Sequence, residues 1–284
     1  MTPTAAARTA LVTGASRGIG RAAAVALAHA GVDVAVTART VHEGQGTDDS
    51  DTGDGRLIPG SLDTTAAQIA AAGRRALPVV ADLHDHGSLV AAVDRVRHEW
   101  GRLDIVVNNA VDTGPGSMLR FAELTVAQFE RKLMGNVVAQ AVVLKAALPL
   151  MAAGGGGVVV DVSSHVAVSD PSAPVGQGGW GLAYAASKAA FHRFAPILAL
   201  ELAGQGIRIY NLDPGYVDTE RQLANAAALG LEGRYRGAPP SVPGAVIAWL
   251  ATAPDAERLV RSGETVLAQR VALDHGLHPD WRQR

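Results

Sequence analysis

Seven short runs rich in Val and Ile, at 10–13, 32–38, 77–81, 105–107, 158–162, 207–212 and 265–268, recur along this chain. They alternate with alanine-rich stretches of helical spacing at 19–30, 62–72, 86–99, 125–152, 183–203 and 241–252. Unbroken apolar runs of this length suit strands covered on both faces. Strand–helix alternation dictates parallel pairing, because a chain that starts each strand in the same direction needs a crossover, and the helix is that crossover. The expected fold class is therefore α/β: a doubly wound parallel sheet of about seven strands with helices on both faces. Gly31, Gly73 and Gly101 stand just past helical runs, where a left-handed C-cap favours glycine. No internal repeat and no linker interrupts this rhythm, so residues 1–284 read as a single domain.

Composition narrows the classes of function. With 48% hydrophobic and 18% charged residues the chain is globular in character. A net charge of -2 leaves no electrostatic footprint for nucleic acid, and no basic run suggests a membrane surface. The lack of cysteine excludes disulfides, thiolate catalysis and Cys-ligated zinc together. The opening "MTPTAAARTA" lacks an apolar signal core, and no segment reads as long as a membrane span. A soluble, cytoplasmic protein without nucleic-acid or membrane partners is expected.

The first strand leads through "LVTGASRGIG" (11–20) into a helix. Gly14 allows a sharp turn, Gly18 lets backbone approach a phosphate closely, and Gly20 lets helix pack against strand. Together with Ser16, Arg17 and Ile19 they form a candidate pyrophosphate cradle, since the first N–H groups of a helix lack partners. A purely structural turn is the alternative, and G-x-x-x-G-x-G is not the common dinucleotide pattern G-x-G-x-x-G. Charge points to the cofactor. NAD-binding units carry an acidic side chain after the second strand, whereas this chain has "VTART", with Ala38 and Arg39 there. Arg17 lies on the same side. Two guanidiniums without a carboxylate favour the 2′-phosphate, hence NADP(H) over NAD(H), unless both are simply solvated.

"YAASK" places Tyr184 and Lys188 four apart, on one face of a helix. A phenol with a pKa of about 10 is a poor base near neutrality. A nearby ammonium favours the phenolate and lowers that value, so Tyr184 becomes able to exchange a proton with a substrate oxygen. Taken alone, the pair also fits a solvated helix.

"TGASRGIG" (13–20), "ADL" (81–83), "NNA" (108–110), "GN" ending at Asn136, "SS" (163–164), "YAASK" (184–188) and "PGYVDT" (214–219) follow one another in register. In this the chain resembles the short-chain dehydrogenase/reductase family over nearly its whole length. The resemblance implies a Rossmann-type fold and an NADP(H)-dependent oxidoreductase that interconverts a ketone or aldehyde and an alcohol. It implies Tyr184 as acid/base, Lys188 beside it and in contact with the nicotinamide ribose, Ser164 orienting the substrate oxygen, and Asn136 continuing a proton relay. Ser163 is the runner-up to Ser164. It further implies that Asp82 and Leu83 border the adenine, that Asn109 and Ala110 pass beside its ribose, and that Pro214, Gly215, Val217 and Thr219 hold the nicotinamide carboxamide. Enoyl reduction or epimerisation on the same fold, and a non-catalytic dinucleotide-binding protein, are the alternatives. The intact Ser–Tyr–Lys set favours carbonyl chemistry on a small-molecule substrate. Related enzymes pair the helices at 125–152 and 183–203 into dimers and tetramers. Apolar residues on more than one face of both helices lead to the same expectation here, a homotetramer or homodimer.

Several features depart from the family pattern. Val111 replaces the glycine of "NNAG", Tyr210 stands where asparagine is usual, and residues 165–181 lengthen the gap between Ser164 and Tyr184. That loop reshapes the substrate pocket, with His165 and Trp180 as candidate walls, and residues 216–240 form a flap. "RLIPGSLDTTAAQIAAAGRRALPVVADL" resembles a branch that includes hydroxysteroid-like and terpenoid-alcohol dehydrogenases, from which no substrate is carried over. The acidic segment 41–55 holds Glu43, Asp48, Asp49, Asp51, Asp54 and four glycines; with few apolar groups to offset its ordering entropy, an exposed, mobile loop near Arg39 is expected. As an EF-hand it fails, since the sixth position from Asp49 is Asp54 and the twelfth is Gly60. "HDH" (84–86) lacks further ligands, so no metal site is expected.

Overall fold

The computed structural model describes residues 7–51, 53–228, 233, 236–278 and 281. Its first half runs β1 (Thr9–Thr13), α1 (Gly18–His29), β2 (Asp33–Ala38), α2 (Leu62–Ala71), β3 (Ala76–Val80), α3 (His86–Trp100) and β4 (Ile105–Asn108). Then come α4 (Val126–Leu133), a π turn (Met134–Val138), α5 (Ala139–Ala153), β5 (Gly157–Val162), α6 (Leu182–His192), α7 (Phe194–Glu201) and β6 (Ile207–Asp213). The chain continues through α8 (Glu220–Ala228), α9 (Ser241–Thr252), α10 (Ala256–Leu259), β7 (Thr265–Leu267) and α11 (Ala268–Asp274). Of the segments singled out from the sequence, Thr52 and residues 229–232, 234 and 235 lie outside the described residues.

The strands form one parallel sheet in the order β3-β2-β1-β4-β5-β6-β7. Alternation sorts their side chains. Ala10 and Val12 join the layer of α1, α9 and α11, among Leu27, Val246, Leu250 and Ala272, while Leu11 joins α3 and α5, among Val93, Leu144 and Ala147. Each buried Val or Leu contributes about 1.5–3 kcal/mol, which is why the Val/Ile runs lie where both faces are covered. Strand order reverses between β1 and β4. In a sheet of this topology such a switch point is where ligands bind, in a crevice at the carboxyl edge of the strands.

Two helices differ from the sequence pattern. The run expected over 183–203 breaks at Arg193 into α6 and α7. Pro196 has no N–H to give to the His192 carbonyl one turn back, and Asn211 Nδ2 takes that carbonyl at 2.8 Å. The run over 125–152 continues through the π turn into a helix of 28 residues, Val126–Ala153, so among the described residues one segment is long and apolar enough to span a membrane. Its apolar residues Val143, Leu144, Ala147 and Met151 are buried in the core, and it also buries Lys132, Asn136 and Gln140.

Candidate functional site

The glycine turn lies at the crevice. Gly14 (φ 64°) and Gly18 (φ 56°) are left-handed. A Cβ on Gly20 would lie 2.4 Å from both the Gly14 carbonyl oxygen and Asn109 Nδ2, so α1 sits against β1 only because this position is bare. Asn109 Nδ2 donates to the carbonyls of Thr13 (2.9 Å) and Gly14 (3.1 Å), and Thr13 Oγ1 accepts from the amides of Asn109 and Ala110, both at 3.0 Å. These bonds stitch the turn to the end of β4. Ser16 is buried in the turn and Ile19 is half-buried at the start of α1. A bare turn at a helix N-terminus suits a dinucleotide pyrophosphate. Glu220, not singled out from the sequence, accepts from the Gly18 amide at 2.9 Å and pairs with Arg21. Its carboxylate answers the partial positive charge of the α1 N-terminus.

The other cofactor candidates ring the same edge. Asp82 and Leu83 follow β3, and Asp82 Oδ1 accepts from the His84 amide at 2.9 Å. Pro214 and Gly215 (φ 67°) follow β6, where Gln269 Nε2 donates to the carbonyls of Pro214 (3.1 Å) and Tyr216 (2.8 Å). Val217 bridges to Ala238. The methyl of Thr219 approaches Gly18 so closely that a Cβ there would lie 3.2 Å from it. The segment after β6 thus closes over the glycine turn.

Neither arginine is simply solvated. Arg17 donates through Nε to the Pro59 carbonyl (2.9 Å) and through Nη2 to those of Ile58 (3.3 Å) and Gly60 (3.0 Å), clasping the segment before α2. Burial pulls its pKa below the ordinary guanidinium value. Arg39 Nη2 pairs with Asp49 at 3.0 Å; burial opposes its charge, but Asp49 outweighs burial and raises the pKa. A carboxylate therefore does stand beside Arg39, delivered from ten residues further along. Within the acidic segment, Asp48, Asp49 and Asp51 are fastened to the rest of the fold. Arg221 of α8 holds Asp48 at 3.0 Å and Asp49 at 3.1 Å, Asp48 is buried, and Asp51 accepts from the amides of Gly116 and Met118 at 2.6 Å each. Fixed charges and backbone donors offset the ordering entropy that apolar burial could not, and those partners come from distant parts of the chain.

At the end of β5, Ser164 continues in extended backbone (φ -168°) toward α6. The Ser164 side chain lies near enough to the Tyr184 phenol to act on it. Burial raises the phenol's pKa, Ser164 opposes the rise, and Asp213 adds to it. The sequence expectation that Lys188 lowers the Tyr184 pKa is thus reversed, because burial dominates. Lys188 is itself buried, its Nζ donates to the Val162 carbonyl at 2.8 Å, and burial brings its pKa down to about 8 against the opposing charge of Asp161. Ser163 is committed elsewhere: its Oγ shares a hydrogen bond with His192 Nδ1 at 2.8 Å. Of the two serines, Ser164 meets the tyrosine.

Asn136 is brought to the same place through the π turn. Its Oδ1 accepts from the Asp112 amide at 2.7 Å and its Nδ2 donates to Ser187 Oγ at 3.0 Å, while Ser187 donates to the Tyr184 carbonyl at 2.9 Å. Both ends of the amide are thereby used in fastening α6. Beside it lies a cluster missed from the sequence. Asp112 pairs with the fully buried Lys132 (3.3 Å), with Arg131 (3.3 Å) and with His84 Nε2 (2.9 Å). The four-residue spacing of Lys132 and Asn136 was the available signal. Among the described residues no three His, Asp or Glu side chains come together as metal ligands. His165 and Trp180 meet edge to face with centroids 5.4 Å apart, so the two candidate wall residues do stack on each other.

Comparison with known proteins agrees with this geometry. A family model described as short chain dehydrogenase matches residues 8–50 and 57–228. Over 212 residues the chain is 35% identical to a cis-4-hydroxycyclohexanecarboxylate dehydrogenase of Sinomonas cyclohexanicum, covering 75% of this chain and 74% of that protein. A short chain dehydrogenase from Mycobacterium paratuberculosis, solved bound to NAD, superposes with a TM-score of 0.73 at 26% identity, over 92% of this chain and 96% of the other. A 3-oxoacyl (acyl-carrier-protein) reductase from Agrobacterium tumefaciens C58, solved with NADP, gives a TM-score of 0.73 at 29% identity, over 92% of each chain.

Proposed function

The chain belongs to the short-chain dehydrogenase family, an oxidoreductase of alcohol and carbonyl groups that uses a nicotinamide dinucleotide, and on that premise we propose that Tyr184 is its acid/base. The observation that carries this is the meeting of Ser164, Tyr184 and the buried Lys188 at the carboxyl edge of β5, with Lys188 Nζ held by the Val162 carbonyl at 2.8 Å. A bound dinucleotide supplies or accepts the hydride. The Ser164 hydroxyl orients the substrate oxygen and Tyr184 gives it a proton in reduction or takes one in oxidation. Lys188, held by the Val162 carbonyl, presents its ammonium to the same pocket and stabilises the anion that Tyr184 leaves when it donates. The raised phenol pKa favours the acid role at rest, so reduction is the direction in which Tyr184 starts correctly protonated.

Gly14, Ser16, Arg17, Gly18, Ile19 and Gly20 would hold the pyrophosphate, with Asp82, Leu83, Asn109 and Ala110 toward the adenosine and Pro214, Gly215, Val217 and Thr219 toward the nicotinamide. NADP(H) is the preferred form on this reading, because Arg39 follows β2 where a 2′-phosphate would lie; Asp49 must then give up that guanidinium. The substrate is a secondary alcohol or its ketone, in keeping with a relative named for a ring-borne hydroxyl. The protein assembles as a homodimer or homotetramer through α4–α7, where Val126, Val138, Ile197 and Leu200 are exposed.

Tyr184→Phe tests the reading. NADPH oxidation against a panel of cyclic ketones should fall by orders of magnitude while dinucleotide still binds. Near-normal turnover in the variant would mean that another residue is the acid.

A further inference from the structure

Three consecutive residues stand at the carboxyl end of β5, and α6 meets all three. The Val162 carbonyl accepts from Lys188 Nζ at 2.8 Å, Ser163 Oγ shares a hydrogen bond with His192 Nδ1 at 2.8 Å, and the Ser164 side chain acts on the Tyr184 phenol. Tyr184, Lys188 and His192 follow one another at four-residue steps along the helix, so they share one face. Two of these meetings belong to the proposed chemistry. The third, Ser163 with His192, joins two buried side chains that the reaction does not use.

His192 is the last residue of α6, and it is tied to three neighbouring strands. Besides Ser163 after β5, its Nε2 shares a hydrogen bond with Thr265 Oγ1 of β7 at 3.2 Å, and its carbonyl accepts from Asn211 Nδ2 of β6 at 2.8 Å. Asn211 and Thr265 are register partners in the sheet, so one strand pair takes both the backbone and the ring of this residue. Burial and the Arg193 charge lower the ring's pKa against the pull of Asp213, which leaves a neutral imidazole with one donor and one acceptor nitrogen. A hydroxyl fills either role, so Ser163 and Thr265 satisfy both nitrogens. An apolar side chain would fill the same space without needing either hydroxyl, so packing by itself does not call for histidine here.

The end of β5 is already fixed, because the Ser163 amide donates to the Leu212 carbonyl at 2.8 Å. The end of α6 is not fixed by its own helix, which breaks at Arg193 before Pro196. Lys188 is a poor tether for it, since its ammonium rides on a flexible four-carbon stem. An imidazole turns about fewer bonds and holds its nitrogens in one plane. We propose that His192 is a positioning residue: through Ser163 it fixes where α6 lies along the end of β5, and so sets Tyr184 against Ser164. Tyr184 is eight residues back, about 12 Å along the axis, and a rigid helix carries a slip at His192 to it. The inference rests on the proposed acid/base role of Tyr184.

Two substitutions divide the ring's contacts. Asparagine carries its amide at the depth of Nδ1 and can keep the Ser163 contact alone. Glutamine reaches to the depth of Nε2 and can keep the Thr265 contact alone, while phenylalanine keeps the ring and neither contact. In ketone reduction with NADPH, His192→Phe and His192→Gln should lower kcat by about 10–100-fold, the scale of a reacting group displaced by about 1 Å. KM for the ketone and the NADPH Kd from fluorescence titration should stay near their wild-type values. His192→Asn should recover most of the lost kcat, Ser163→Ala should match His192→Phe, and Thr265→Val should leave kcat unchanged. Urea unfolding of the same variants shows whether turnover merely follows stability. Equal kcat in the Asn and Gln variants, a Thr265→Val loss as large as that of Ser163→Ala, or kcat losses that rank with the urea midpoints would each overturn the proposal. Near-normal turnover in Tyr184→Phe would overturn the catalytic reading and the proposal with it. The two failures are distinguishable, because in the first Tyr184→Phe stays inactive.

Discussion

Asn136→Ala would cut the link between three parts of the site. The asparagine accepts from the buried Asp112 amide at 2.7 Å and donates to Ser187 Oγ at 3.0 Å, one turn beyond Tyr184. Alanine leaves the Asp112 N–H without an acceptor in a region closed to water, at a cost of about 1–3 kcal/mol. Ser187 is affected less, because its hydroxyl still donates to the Tyr184 carbonyl; losing the incoming donor costs about 0.5–1.5 kcal/mol. The expected sum is about 1.5–4.5 kcal/mol, a large share of the about 5–15 kcal/mol typical of a folded domain. Urea unfolding followed by tryptophan fluorescence at fixed protein concentration measures it, with the m-value checked for constancy. Ser187→Ala should cost less, since the Asp112 amide keeps its acceptor. The double variant should cost less than the sum of the two, because the pair shares one bond. A loss below about 0.5 kcal/mol in Asn136→Ala, the level of an ordinary surface substitution, would refute the view of Asn136 as the latch between the β4 loop and α6.

Asp49→Asn should release Arg39 and raise the affinity for NADPH relative to NADH several-fold in a fluorescence titration, whereas Arg39→Asp should reverse the preference; equal affinity of all three proteins for both cofactors would rule out this control. Burial would raise the pKa of Asp112, but Lys132, the Gly114 amide, His84 and Arg131 outweigh it and hold the carboxyl below the usual range. Its stabilisation is therefore present above about pH 4 and lost as pH falls through the folded-state value, a loss that Asp112→Asn should not show in unfolding measured across that range. Asp112→Ala should cost about 3–5 kcal/mol at neutral pH, since it leaves Lys132 buried without its counter-charge. Light scattering should report a dimer or tetramer that Leu200→Asp shifts toward monomer, and an active monomeric wild type would exclude assembly through α7.

Local signals carried the sheet and the glycine turn. Strands buried on both faces need unbroken Val/Ile runs, and the turn needs bare glycines where backbone meets backbone, so both are written in consecutive residues. Tyr184 and Lys188 were legible for the same reason, since four residues on a helix determine which side chains share a face. What the sequence could not show is what those side chains meet. Burial reversed the expected effect on Tyr184, and burial is a property of the packed whole. Pro196 broke a helix that looked continuous, with Asn211 supplying the lost donor from another strand. The acidic segment 41–55 looks too polar to order itself, and alone it would be. Its partners Arg39, Arg221, Gly116 and Met118 are up to 173 residues away, and only the fold brings them within hydrogen-bond reach. Asp161 reads as one more residue of a buried strand. It becomes a buried carboxyl in a row of amides because sheet register sets it between Asn108 and Asn211.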